Sequence, residues 1–368
     1  MSGKIIYIIS IIVLIIVLGY AGSLLMNHQE VISPRIVPIP ASLPTIIATK
    51  TFPFEKGQIT ISVPVNASVY EGAKRSDKTV RIIGNVSDGV WISDSYRAMV
   101  NDPNQEELYR DLIAEFRNVK TRDGLSDDEY LELMAAYTQS LQYETIGENP
   151  AKFPIETVVD GAGDCDDKSL LLAGLLSREG YRVALLSFGP EQHMALGVGS
   201  SEYHYQNTNY TFLETTNLSY VGITPEKMGG GSVLSSLPIV ITIGEGTKLY
   251  TSTFQTQYLQ ETKILSEKKV KEIEPQVKTL QTELNEQQQA ILQLENRMQE
   301  LKRAGNVRDY NSLVSIHNEK VSDYNAIREK YKVVFDQYEK YALVYNYIID
   351  HQYDRKGVYE YAKAIIPA

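Results

Sequence analysis

Cysteine is almost missing: Cys165 is the only one in 368 residues, so no disulfide can close within the chain and a disulfide scaffold is excluded. Basic residues are in deficit. With 36 Lys and Arg against 46 Asp and Glu, the formal net charge is −10, and no basic stripe of the kind that grips phosphates is visible, which argues against a nucleic-acid partner. No group of His, Cys, Asp or Glu has zinc-ligand or calcium-loop spacing, so no metal and no cofactor is expected. Glycine is absent from Gln257 up to Gly305. That gap marks a change of architecture.

What the chain does contain begins with a long hydrophobic run. Residues 5–18 are nearly unbroken Ile, Val and Leu and residues 19–26 extend the apolar run, and about twenty apolar residues suffice to span a bilayer as a helix. Lys4 precedes the run and no Lys or Arg follows until Arg35, so the positive-inside bias predicts a cytoplasmic N-terminus, a single-pass cell-membrane anchor and an extracytoplasmic main domain. A cleaved signal peptide is the competitor, but its apolar region would be shorter and end at a small-residue site. On this reading residues 1–27 are a stub and transmembrane helix, and the spaced prolines of 28–50 form a semi-rigid stalk. The sequons at Asn66, Asn85, Asn209 and Asn217 suit an exported surface.

Beyond the stalk, alternating residues over 51–104, such as Ile59 to Val65 and Thr79 to Ile83, predict a β-rich accessory segment of a few antiparallel strands. Helical spacing follows over Gln105 to Phe116 and Ser126 to Leu141, the second entered through the capping box Ser126-Asp-Asp-Glu129. An apolar helix starts near Cys165. Strands are expected at Tyr181 to Phe188, His193 to Val198 and Tyr210 to Thr216. Helix followed by consecutive strands implies an α+β domain over 105–256 with an antiparallel sheet. The glycines of Met228 to Ser232 lack the Lys and Ser/Thr of a phosphate loop and read as a plain loop. Over 257–349, apolar residues from Val270 to Leu301 and bulkier ones from Val314 to Tyr345 alternate at three and four, two coiled-coil seams split by Ala304-Gly-Asn306. They predict an antiparallel coiled-coil hairpin, with Pro275 as a kink or start and an intermolecular partner as the alternative. Residues 350–368 are left as a tail.

The chemistry centres on Gly163-Asp-Cys-Asp-Asp-Lys168. A thiol at a helix N-terminus meets the positive end of the helix dipole, which favours a nucleophile, while Asp164, Asp166 and Asp167 crowd it with negative charge and work the other way. Asp164 also suits the N-cap, and another Asp is expected to pair with Lys168 or Arg182. His193 on the second strand after this helix can serve as base and Glu214 on the next strand as the acid that orients it. Gln139 can donate amide hydrogens to an oxyanion. His204 is the rival base, and His317 sits in the coiled-coil seam.

Together, Gln139-Ser-Leu-Gln-Tyr143, Phe153-Pro-Ile-Glu-Thr157, Gly163 to Lys168 with the Leu171 to Leu176 helix, Gly180-Tyr181, His193 to Val198 and Tyr210 to Thr215 resemble the transglutaminase-like superfamily of papain-type thiol enzymes, in its membrane-anchored prokaryotic and archaeal branch. The match covers roughly residues 125–220. Glu214 stands where the family usually has Asp, and Met194 and Ala195 where many members carry an aromatic. The resemblance implies Cys165 as nucleophile, His193 as base, Glu214 as orienting acid and Gln139 as oxyanion donor, in a thiol hydrolase or acyltransferase acting on a peptide or carboxamide carbonyl of a cell-surface substrate. The alternative is a catalytically inactive surface module that binds a protein partner through the coiled coil.

Overall fold

A computed structural model describes residues 14–17, 29–40, 43–144, 150–227 and 233–367. The chain divides into two compact units, Met1–Phe254 and Gln255–Ala368.

The first unit opens with a short strand, β1 (Glu30–Ile32), and then a hairpin of β2 (Ile46–Phe54) and β3 (Gly57–Val65). The hairpin pairs in unbroken register from Ile46 opposite Val65 to Phe54 opposite Gly57, and Glu55 at φ +47° makes its turn. Alternation decides its faces: Ile59, Ile61, Val63 and Val65 are buried, while Thr49 with Ser62 and Thr51 with Thr60 form hydroxyl pairs on the exposed side. Next come α1 (Ala67–Arg75), capped by Asn66, β4 (Arg81–Ile83), which pairs antiparallel with β1, and α2 (Asp88–Val100). Helix α3 (Glu106–Asp123) packs on β3 and stops at Gly124, whose φ of +66° suits glycine. The capping box before α4 (Asp127–Gln139) is formed in both directions between Ser126 and Glu129.

Two residue pairs, β5 (Gln142–Tyr143) and β6 (Ala162–Gly163), align in parallel, with α5 (Pro154–Asp160) between them. Then α6 (Cys165–Arg178) runs through the middle of the unit. Leu170, Leu171, Leu172, Ala173, Leu175 and Leu176 have no exposed surface, the mark of a helix enclosed on every side. It lies against a four-stranded antiparallel sheet of β7 (Arg182–Phe188), β8 (His193–Gly199), β9 (Tyr210–Leu213) and β10 (Ile239–Glu245), in the order β10-β7-β8-β9. One apolar cluster reaches from Ile36 to Tyr250, so the hairpin of β2 and β3 shares its core with the Cys165 helix.

The second unit continues α7 (Thr253–Arg303), turns at Gly305 (φ +69°), and returns through α8 (Val307–Asp350) before a short α9 (Arg355–Ile365). His317 Nε2 lies 3.2 Å from Glu295 Oε1, and Lys278 and Lys269 lie near Tyr338 and Tyr341, so α7 and α8 run antiparallel. Val277, Leu280, Leu284, Ile291 and Leu294 face inward, wholly or half buried. On α8, Tyr331, Phe335 and Tyr338 stack along one stripe at 5.5 and 6.2 Å between ring centres.

Several expectations need correction. The α+β architecture is present, but among the described residues no helix is long and apolar enough to cross a membrane. Of residues 5–26 only 14–17 are described, as a single helical turn. The transmembrane helix, the signal anchor and the single-pass cell-membrane localisation inferred from hydropathy are therefore withdrawn. The stalk is not free, because Ile36 is buried with its N–H donating to Asp102 Oδ2 at 2.7 Å, and Ile39 N–H donates to the Ser68 carbonyl; residues 41–42 lie outside the described part. Residues 67–75 and 88–100, expected within a strand-rich segment, are helices α1 and α2. Pro275 lies inside α7 without ending it. Ile327 takes the inward place expected of Arg328, which is exposed. The tail contains α9, whose Val358 is fully buried and whose Tyr361 stacks on Tyr347 at 4.0 Å. The glycine-rich loop at 228–232 lies outside the described residues.

Candidate active site

The start of α6 is built by its own acidic residues. Asp164 takes the N-cap position, its Oδ1 accepting from the N–H groups of Asp166 and Asp167 at 3.0 and 3.1 Å. Asp167 reaches back to accept from Asp164 N–H at 3.1 Å and from Lys152 N–H at 2.6 Å, completing a capping box. Burial and the charge of Asp164 push the Asp167 carboxyl up to about 7. Gly163 is required just before the turn, since a Cβ there would sit 2.7 Å from the Asp167 Cβ.

Cys165 occupies the first position of the helix and is 8% exposed. The Met194 N–H on β8, the residue after His193, lies near enough to the sulfur to pull its proton affinity down. The Cys165 thiol also points to Asp166 Oδ1 at 3.5 Å. The other Asp166 oxygen accepts from Tyr96 Oη at 2.7 Å. Burial, then Asp166 and Asp164, drive the thiol well above its usual range, against the Met194 N–H. Burial likewise raises Asp166, with Tyr96 pulling it down, and burial followed by the Asp166 charge raises Tyr96. The opposing effects weighed on the sequence thus sum to a raised thiol, with burial the largest of them.

His193 opens β8. Its Nε2 lies 3.3 Å from Glu214 Oε2, a close contact that is not aligned as a hydrogen bond. Nδ1 is the nitrogen left on the side away from Glu214. Glu214 is 2% exposed and follows the last residue of β9, where a mid-strand place was expected. Its extra methylene is used in folding back: Oε1 accepts from Thr215 N–H, Thr216 N–H and the Thr216 hydroxyl at 3.0, 2.8 and 2.6 Å. Burial acts to raise Glu214, but His193 and these donors outweigh it and hold the carboxyl below its ordinary value. An anionic acceptor is thereby fixed beside the imidazole.

Gln139 does not keep the role expected of it. Both amide hydrogens are used, donating to the Glu214 carbonyl at 2.7 Å and the Ser219 carbonyl at 3.1 Å, so none remains for an oxyanion. Its contribution is to tie the end of α4 to the Glu214 turn. Lys168 does the same from α6. Fully buried, it donates to the carbonyls of Gln139, Leu141 and Thr216 at 3.3, 2.6 and 3.1 Å, so it pairs with no Asp. Burial lowers its ammonium to about 8, partly opposed by Glu214. Ser169, one turn after Cys165, links Thr215 Oγ1 and the Met194 carbonyl. The rival base His204 bonds the Ser200 carbonyl at 2.9 Å.

Tyr96 and the linking role of Lys168 were not read from the sequence. Tyr96 belongs to a helix taken for part of a strand-rich segment, and no local signal announces that this helix packs against α6. Asp164, Cys165 and Asp166 offer ligand atoms within 4.8 Å of one another, and Asp164 Oδ1 already serves two N–H groups. No family model, no curated protein and no solved structure matches this chain.

Proposed function

We propose that this protein is a transglutaminase-like thiol enzyme that attacks a peptide or carboxamide carbonyl through Cys165. The observation that carries this reading is the His193 Nε2 to Glu214 Oε2 contact of 3.3 Å, with a helix-start thiol near the residue after that histidine. The raised thiol implies general-base activation at the moment of reaction, without a standing thiolate. His193 Nδ1 accepts the thiol proton as Sγ bonds to the carbonyl carbon. The tetrahedral oxyanion collapses, the C–N bond breaks, and the amine leaves with the proton from Nδ1. Water, deprotonated in turn by His193, bonds to the thioester carbon, the C–S bond breaks, and the sulfur recovers the proton from Nδ1 as the acid leaves; an amine in place of water completes a transfer. Glu214 holds the imidazole and stabilises its cationic form. Because Gln139 is committed to carbonyls, the Cys165 N–H at the start of α6 is the donor we assign to the oxyanion.

A second reading has an observation of its own. Asp166 beside the sulfur and the spent amide of Gln139 would also suit an inactive module that binds a protein partner through the α7–α8 hairpin. Alkylation of Cys165 by iodoacetamide separates the two. An enzyme requires labelling that falls at least about tenfold in His193→Ala; labelling that is slow and indifferent to this substitution would leave only the binding module.

A further inference from the structure

A cavity of about 450 Å³ lies where the segment after β1 meets the C-terminal end of α1 and the loop leading into β4. That volume is within the ~300–1,000 Å³ typical of small-molecule sites. None of the proposed catalytic groups lines it. Its walls carry Arg35, Arg75 and Arg81, with Ser76, Thr79 and a single carboxylate, Asp77, among the other residues.

Three arginines among the ten lining residues stand out in a chain of net charge −10, because gathered like charges favour an anion beside them. Asp77 is already occupied: Oδ1 accepts from Thr79 N–H at 3.0 Å and Oδ2 from Arg81 at 3.1 Å. Arg75 has a contact of 3.4 Å to Glu71, and Arg35 makes no ion pair with a described residue. The backbone that carries them is held in place. Ile32 pairs with Arg81 across β1 and β4, which sets Arg35 three residues beyond that rung. Gly72 lets α1 approach residue 37 so closely that a Cβ would lie 2.3 Å from the Val37 oxygen. The loop is pinned from behind by Lys78, whose Nζ meets the nearly buried Glu156 at 2.8 Å.

We propose that this cavity binds a small multivalent oxyanion, a phosphate ester or a polycarboxylate, held by Arg35, Arg75 and Arg81. Arginine forks match the paired oxygens of both groups, and each charge-assisted bond is stronger than a neutral one.

The full chain is titrated calorimetrically with pyrophosphate and with citrate, sodium chloride keeping the ionic strength constant. Saturable one-to-one binding of at least one probe is expected, weakened about tenfold in Arg35→Gln and again in Arg81→Gln. Both arginines are exposed, so an unchanged thermal transition is expected to accompany the loss. Arg110→Gln, which removes an exposed arginine paired with Asp111 at 3.0 Å on α3, leaves binding unchanged. Tighter pyrophosphate identifies a phosphate ester, and tighter citrate a polycarboxylate. No saturable binding of either probe below about 10 mM, or binding that ignores Arg35 and Arg81, would overturn the proposal.

Discussion

The two units of this chain bury their apolar residues in opposite ways. Around α6, six leucine and alanine side chains have no exposed surface, and helices and strands enclose them from every side. In the α7–α8 hairpin, inward positions such as Leu284 and Leu294 remain half-buried, because a pair of helices can cover only one stripe of each. The dense unit can therefore hold charged groups such as Lys168 and Glu214 away from water. The hairpin leaves its charges exposed, as in the pairs Lys278 with Glu274 and Lys271 with Glu267.

Equal truncations in the two units are the largest test of this difference. Leu171→Ala is expected to destabilise the first unit by about 3–5 kcal/mol, and Leu284→Ala the hairpin by about 1 kcal/mol; urea denaturation with a probe in each unit measures both. Similar losses would erase the contrast.

Lys168→Met sharpens it by removing a buried charge. The folded value of about 8 lies below that of an unfolded lysine, so the unfolded state binds more protons between roughly pH 8 and 10 and stability from this group rises with pH across that window. The buried thiol has the opposite sign, its stabilising effect being lost as pH rises past an unfolded cysteine's range. Comparing wild type with Lys168→Met at pH 8 and pH 10 isolates the lysine. The variant should lack up to about 3 kcal/mol of the rise, besides losing the three carbonyl bonds at both pH values.

A smaller effect is expected at Asp166. Asp166→Asn removes a charge that raises the Cys165 thiol while leaving an oxygen for Tyr96 to donate to, so iodoacetamide labelling at pH 7 should become roughly threefold to tenfold faster. An unchanged rate would show that burial alone keeps the thiol protonated. The smallest change belongs to the hairpin. His317→Ala breaks a partly exposed contact with Glu295 and should cost no more than about 0.5 kcal/mol.

Where local pattern carries the information, the sequence was readable. The capping box of Ser126 and Glu129, the Asp164 cap and the two helical seams each depend on residues a few positions apart, and each forms. Helices α1 and α2 were missed because short amphipathic stretches with Val, Tyr and Ile also satisfy strand preferences until a partner surface chooses between them. Strand β10 was missed too; it joins β7 across a long connection that no local signal specifies. The hydropathy of residues 5–26 was read as a membrane span, and no described helix meets that requirement.

By itself the sequence determined which groups were available: one thiol at a helix start, a histidine on a later strand, an acid farther on, and two long helices parted at Gly305. Tertiary structure alone decided how those groups behave. Folding buried the thiol beside Asp166 and raised it, turned Glu214 back on its own backbone while leaving one oxygen for His193, and spent the Gln139 amide on the Glu214 and Ser219 carbonyls. The physical reason is that proton affinity and hydrogen-bond availability depend on burial and on neighbours far away in the chain, such as Tyr96 from α2 and Met194 from β8, which no local spacing brings together.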